Sequence, residues 1–393
     1  MRKVRMAFTG NEAVAYAMKQ INPDVVAVYP ITPQTEIMHS FSKYVADGEV
    51  DTNLVTVESE HSAMSACVGA SAAGARVMTA TASQGLALMH EILYIASALR
   101  LPIVMPVVNR ALSAPINIHC DHSDMMGSRD SGWIQIFTEN ANEAYHSVIL
   151  GVKLAEKVNL PVMIGLDGFI ISHGMEVVET LPTEEIRNFL GERKPVYSLL
   201  DVDNPITVGP LDLQDYFFEH KRAQIEAMEE AREVIPKVHE EYNKKFETNL
   251  PDFVEPYKIE DAELGVIAMG SAAGTMKEVV DKLREKGKRV GLLRIRIFRP
   301  FPSGEILKYT KHLCALGIMD RAHSLSGLGG PLWTEVRSVF YGESCVPPDM
   351  NFIYGLGGRD FFMEDGEKIF DYLEKLVEGK EQSGSVKYIG LRE

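Results

Sequence analysis

The feature that most constrains this chain is the order of its first 170 residues, where short apolar runs alternate with helix-like segments. The strand-like runs are Val4–Phe8, Val25–Tyr29, Leu54–Val57, Val77–Thr81, Ile103–Val108 and Val162–Leu166. Such alternation predicts βαβ units and a doubly wound parallel sheet with right-handed crossovers. Polar strings follow directly: Pro30-Ile31-Thr32-Pro33, Glu58-Ser59-Glu60-His61, Ser83-Gln84-Gly85, Asn109-Arg110 and Asp167-Gly168. In a parallel sheet the C-terminal strand ends share one edge, and ligands bind in the crevice along it. Five separate loops therefore build one polar rim, the layout of a binding or catalytic site.

The connecting segments read as helices. Asn11 can cap one reaching about Ile21, and Thr35–Val45, Glu60–Ala75, Leu86–Leu99 and Ala141–Val158 supply the others. The Ala, Ser and Gly content of Glu60–Ala75 suits close packing on a sheet. From Phe169 to Glu255 the pattern weakens, punctuated by Pro182, Pro195, Pro205 and Pro210. Leu213–Phe246 reads as a long charged helix, solvated or lying along a partner, broken or kinked near Pro236. A second α/β unit begins near Ala262, with strands Leu264–Ala268 and Arg289–Ile297 around the helix Thr275–Lys286. Ile318–Asp320 and Phe352–Tyr354 are further strand candidates, and Glu367–Glu378 is a closing helix. The expected division is 1–255 and 256–393.

A chain of 393 residues exceeds one ordinary core, and 46% hydrophobic with 24% charged residues describes a globular protein. A formal net charge of −15 argues against a nucleic-acid partner, which needs a concentrated basic face, but not against a small anionic substrate. Cys67, Cys120, Cys314 and Cys345 are far apart, which fits neither a disulfide framework nor an iron–sulfur site and points to packing roles and a cytoplasmic location. The apolar run after Met1-Arg2-Lys3 is only strand length, so it is no signal peptide, and His90 and Glu91 interrupt the most apolar helix, so no membrane span is expected.

Each motif also has a structural reading. The two prolines around Thr32 form a stiff turn, or aim its hydroxyl at a ligand. Helix-dipole and capping effects account for one of Glu58 and Glu60. A second carboxylate beside small, buried residues is costly without a partner. Arg110 is a surface ion-pair former, or a fork for a carboxylate or phosphate. His119-Cys120-Asp121-His122-Ser123-Asp124 looks like a metal cluster, yet consecutive loop residues rarely face one ion without a further ligand element; a loop at the site mouth fits better. The glycine-rich strings Ser326–Gly330 and Gly355–Asp360 miss the dinucleotide fingerprint and read as tight turns at a packed interface.

Several strings together resemble the alpha subunit of the pyruvate:ferredoxin oxidoreductase family, in its multi-subunit form. They are YPITPQT at 29–35, VESEHSAMSA at 57–66, TASQGLALMHE at 81–91, VMPVVNRA at 104–111, INIHCDHSD at 116–124, LDGFIISH at 166–173, FRPFP at 298–302 and YGLGGRDF at 354–361. The resemblance implies a thiamine-diphosphate-binding-type domain (pyrimidine-binding type) over 1–255, carrying the charged helix as an extension. A smaller transketolase C-terminal-like domain that mainly serves assembly would follow over 256–393. It implies oxidative decarboxylation of pyruvate with coenzyme A, or the reverse, with electrons leaving to ferredoxin. Branched-chain 2-oxoacids or 2-oxoglutarate are alternative substrates, and a non-catalytic scaffold is an alternative of another class. By the same resemblance Glu60 hydrogen-bonds the thiamine aminopyrimidine and promotes loss of the thiazolium proton, with Pro30 and Ile31 as further cofactor-binding positions. Thr32 and Arg110 hold the pyruvate carboxylate and neighbouring oxygen. The Gly-Asp-Gly and Asn-Asn strings that hold magnesium and diphosphate in thiamine enzymes are absent, as are cluster-forming cysteines. Magnesium and iron–sulfur clusters are therefore expected on partner beta, gamma and delta subunits.

Overall fold

The computed structural model describes residues 3–392. The first unit supplies β1 (Val4–Thr9), β2 (Val25–Val28), β3 (Asn53–Thr56), β4 (Val77–Met78), β5 (Ile103–Asn109), β6 (Ile134–Phe137), β7 (Val162–Asp167) and β8 (Met175–Thr180). The remainder supplies β9 (Val254–Tyr257), β10 (Leu264–Ala268), β11 (Val290–Ile295), β12 (Ile297–Arg299), β13 (Ala315–Asp320), β14 (Asp349–Tyr354) and β15 (Ser385–Ile389).

The main sheet runs β12-β6-β7-β5-β4-β2-β3, parallel except for the antiparallel β12. Every residue of β5 and β7 is buried, as expected for central strands with helices on both faces. β1 departs from expectation: it leaves the parallel sheet and pairs antiparallel with β8 in a two-stranded ribbon. Met175 and Val177 lie exposed on one face of this ribbon, while Val178 and Thr180 on the other are buried. The second sheet, β15-β14-β13-β10-β11-β9, is parallel apart from β9.

The expected break at 255/256 falls inside β9. The run Arg289–Ile297 divides at Arg296 into β11, which stays in the second sheet, and β12, which joins the first. Arg296 can turn the chain here because its buried guanidinium has partners ready: Glu143, the Ser147 hydroxyl (2.8 Å) and His239 (2.8 Å). Arg294 adds a fork on Glu143 at 2.8 and 3.1 Å and reaches Glu255 at 2.7 Å. Burial alone would raise the Glu143 carboxyl, but Arg294 and Arg296 hold it at about 2. Burial disfavours both cations as well; Glu143, Glu139 and Glu255 outweigh it at Arg294, while at Arg296 burial wins and its pKa falls.

The helix Phe217–Phe246 continues through Pro236 instead of breaking there. Ala227, Ala231, Ile235, Val238, Tyr242 and Phe246 form a buried stripe on both sides of the proline, so this part is not the solvated helix expected. The predicted helix Leu86–Leu99 is two, Ser83–Leu88 and His90–Ala98, and the closing helix starts earlier, at Met363. Cys67 and Cys120 are buried, but Cys314 and Cys345 are exposed and so are not the core residues expected. No helix among the described residues is long and apolar enough to cross a membrane.

Candidate active site

Glu60 opens the helix Glu60–Ala72, directly after β3, with Ser59 as its N-cap: the Ser59 hydroxyl accepts from Ser62 N–H. Capping is thus already served by Ser59, and Glu60 is left over. It is only 7% exposed, and its carboxylate makes no hydrogen bond or ion pair among the described residues. It lies against Gly85 after β4. A Cβ there would sit 2.7 Å from Glu60 Oε1 and collide with the Thr81 hydroxyl, which is itself buried without a partner. Glycine at 85 therefore keeps a slot open beside an unpaired, largely buried carboxylate. Such a carboxylate is costly unless a ligand donates to it.

Thr32 and Arg110 come together from the ends of β2 and β5. Arg110 Nη1 donates to the Thr32 carbonyl at 2.8 Å, and Nε donates to the Asn117 carbonyl at 2.9 Å. Arg110 is 7% exposed and in no ion pair among the described residues, and burial pulls its guanidinium below the usual arginine value. Its Nη2 is left for an anion. The Thr32 side chain is exposed on the same rim, as is Pro30, with Ile31 half-buried between them.

Asn11, expected as a cap, does something else. Thr9 caps its helix in a capping box with Glu12, and Asn11 Nδ2 donates to the Pro33 carbonyl at 2.8 Å, steadying the Thr32 loop. Asp124 ties the other two loops together. Its Oδ2 accepts from Ser83 N–H and Arg110 N–H, both at 3.0 Å, and its Oδ1 from Asn109 Nδ2 at 2.9 Å and Met125 N–H at 2.8 Å. Ser83 is held at φ +45°, unfavourable for a residue with a Cβ, by this bond and by its hydroxyl on the Ala111 carbonyl (2.7 Å). Burial outweighs these bonds and pushes the Asp124 carboxyl up to about 6.

Residues 16–240 match the family described as pyruvate flavodoxin/ferredoxin oxidoreductase, thiamine diphosphate-binding, and residues 262–365 match pyruvate:ferredoxin oxidoreductase core domain II. The pyruvate synthase subunit PorA of Thermotoga maritima is 56% identical over 99% of this chain and 98% of its own. The chain belongs to the pyruvate:ferredoxin oxidoreductase family. Among other relatives of this family, PorA of Methanocaldococcus jannaschii is 47% identical over 98% of this chain and 97% of its own. The ketoisovalerate oxidoreductase subunit VorA of Pyrococcus abyssi is 42% identical over 100% of this chain and 99% of its own. A solved 2-oxoglutarate:ferredoxin oxidoreductase from Magnetococcus marinus shares the fold with a TM-score of 0.73 at 19% identity, over 95% of this chain and 65% of that one.

An unpaired, largely buried carboxyl beside an open slot fits a ring nitrogen that can share a proton with it, so the residues here are compatible with the pyrimidine of thiamine. Magnesium does not fit so well. Of the three Asp-Gly pairs, Asp47 is exposed, Asp167 takes His122 (2.8 Å), Arg321 (2.9 Å) and Ser271, and Asp365 accepts from Phe362 N–H at 3.2 Å and pairs with Lys368. Burial would raise Asp167, yet His122, Arg321 and Ser271 hold it well below the usual carboxylate range. Cys120, His122 and Asp167 do bring ligand-type atoms within 4.8 Å of one another, so the further ligand element that the His119–Asp124 loop lacked in sequence exists, on β7. Arg321 already supplies the positive charge there, which disfavours an added cation.

Proposed function

We propose that this chain is the alpha subunit of a pyruvate:ferredoxin oxidoreductase, converting pyruvate and coenzyme A to acetyl-CoA and CO2, or catalysing the reverse. The observation that carries the reading is the unpaired Glu60 carboxylate beside Gly85, on the same sheet edge as the Arg110–Thr32 pair. Thiamine diphosphate, when bound, supplies the electron sink that loss of CO2 from a 2-oxoacid requires. Glu60 would hydrogen-bond a nitrogen of the pyrimidine ring and share a proton with it, Pro30 and Ile31 would line its loop, and Arg110 with Thr32 would orient the substrate carboxylate. Pyruvate is favoured over a branched-chain 2-oxoacid by the PorA relatives at 56% and 47% identity, against 42 to 43% for VorA.

Magnesium, the diphosphate contacts and the iron–sulfur clusters that feed ferredoxin then belong to beta, gamma and delta subunits in a cytoplasmic complex. Exposed apolar side chains support a covered surface. Leu88, Tyr94 and Ile95 are exposed on the two helices that follow β4, and Val202, Leu211 and Phe218 are between 76 and 89% exposed.

Two measurements test this. Viologen reduction with pyruvate, coenzyme A, thiamine diphosphate and magnesium should appear only when the chain is reconstituted with its partner subunits, and should exceed that with 2-oxoisovalerate or 2-oxoglutarate. Activity from the chain alone contradicts the shared site, and an assembled complex inert to every 2-oxoacid makes the chain a scaffold. Arg110→Ala should raise the pyruvate KM by about 10- to 100-fold, the loss of one charge-assisted anchor. An unchanged KM removes Arg110 from substrate binding.

A further inference from the structure

The glycine-rich turn Gly355–Gly358 lies in the second unit, yet it packs on the loop that holds Arg110. Gly355, Gly357 and Gly358 adopt φ of +63°, +60° and +78°, a conformation that residues with a Cβ rarely take. A Cβ on Gly357 would collide with Asn117 Nδ2, and one on Gly358 with the His119 side chain. With glycine the turn and the loop come into direct hydrogen-bond contact. Asn117 Nδ2 donates to the Gly357 carbonyl at 3.0 Å, and Gly358 N–H donates to the Cys120 carbonyl at 2.6 Å.

Asn117 faces the other way as well. Its own carbonyl accepts from Arg110 Nε at 2.9 Å, and its Oδ1 accepts from His119 N–H at 2.7 Å. The turn is anchored behind by Arg321, whose Nε reaches the Gly355 carbonyl at 3.3 Å while its Nη1 pairs with buried Asp167. A continuous chain of contacts thus runs from that ion pair, through the glycine turn and Asn117, to the arginine on the sheet edge.

We propose that the Gly355–Gly358 turn is a positioning element for substrate recognition, holding the loop around Asn117 so that the Arg110 fork points its free Nη2 at the substrate carboxylate. This gives the second unit a part in recognition beyond assembly, and it rests on the reading of Arg110 as the carboxylate anchor. Thr32 and Asn117 hold the fork from the first unit, and the second unit acts on it through the Gly357 carbonyl that Asn117 Nδ2 meets, so neither unit alone determines its direction.

The test uses the reconstituted complex with pyruvate varied, comparing Asn117→Asp, Gly357→Ala and Arg110→Ala. Gly379→Ala is the control, since Gly379 has φ +72° but open space around it. Asn117→Asp keeps the shape and removes the donor to Gly357. Both Asn117→Asp and Gly357→Ala should raise the pyruvate KM roughly tenfold with kcat within about twofold, and the double variant should be little worse than either alone. Hydrogen exchange of the 111–120 segment should quicken in Gly357→Ala and not in Gly379→Ala. If Arg110→Ala raises KM while Asn117→Asp and Gly357→Ala leave it unchanged, or lower only the yield of assembled complex, the positioning role is overturned and the proposed function stands. If Arg110→Ala itself leaves KM unchanged, the anchor reading fails and this proposal with it.

Discussion

Glu60→Gln is expected to lower kcat for pyruvate-dependent viologen reduction by about 10²- to 10⁴-fold, the range for losing a proton-handling side chain. Glutamine has the size of glutamate and fills the same slot beside Gly85, so the helix and its Ser59 cap stay intact. What it cannot do is exchange a proton with the ring, because an amide is neither an acid nor a base near neutral pH. Assembly of the complex, followed by size-exclusion chromatography, should not change. Full turnover in the variant would detach Glu60 from the cofactor.

The largest expected effect on stability is at Glu143. Removing this carboxylate with Glu143→Ala leaves Arg294 and Arg296 buried together without their shared counter-ion, and should cost ~3–5 kcal/mol. The pH dependence follows from the same residue. Its folded pKa, about 2, lies below the ordinary 4.5, so its contribution is complete above 4.5 and fades as the pH falls toward 2. Acid titration by circular dichroism should show the wild-type chain losing stability steeply across that interval. Glu143→Gln, weaker throughout, should show a shallower slope there. Equal slopes would mean other carboxylates govern acid unfolding.

Much of the site was legible because a parallel sheet turns sequence order into spatial position. Once Val25–Tyr29 and Ile103–Val108 are parallel strands, Thr32 and Arg110 must share an edge, and they meet through the Thr32 carbonyl. Glu60 was legible as a carboxylate without a structural task beside small residues, and Ser59 takes the capping task that could have explained it. Other features depend on partners far along the chain, and no local pattern carries them. Asp124 bridges Ser83 and Arg110, and Asn11 reaches Pro33, by hydrogen bonds whose donors and acceptors only the fold brings close. The division of the run after Arg289 was hidden for the same reason: Arg296 marks the junction of β11 and β12, but in the alternation Arg294-Ile295-Arg296-Ile297 it reads as one more strand position. At the N-terminus, Val4–Phe8 has the composition of a sheet strand, and only its pairing with β8 reveals a separate ribbon.

The strand exchange at β12 has a consequence for how this polypeptide can be divided. Ile134, Gln135, Ile136 and Phe137 of β6 are buried, and β12 is what covers their outer side. A fragment ending before residue 256 would present that row of amide and carbonyl groups as a raw, apolar border, the kind that recruits strands from other molecules. Expressed alone, the N-terminal piece should be prone to self-association, and adding back the C-terminal piece in trans should suppress it by restoring the missing strand.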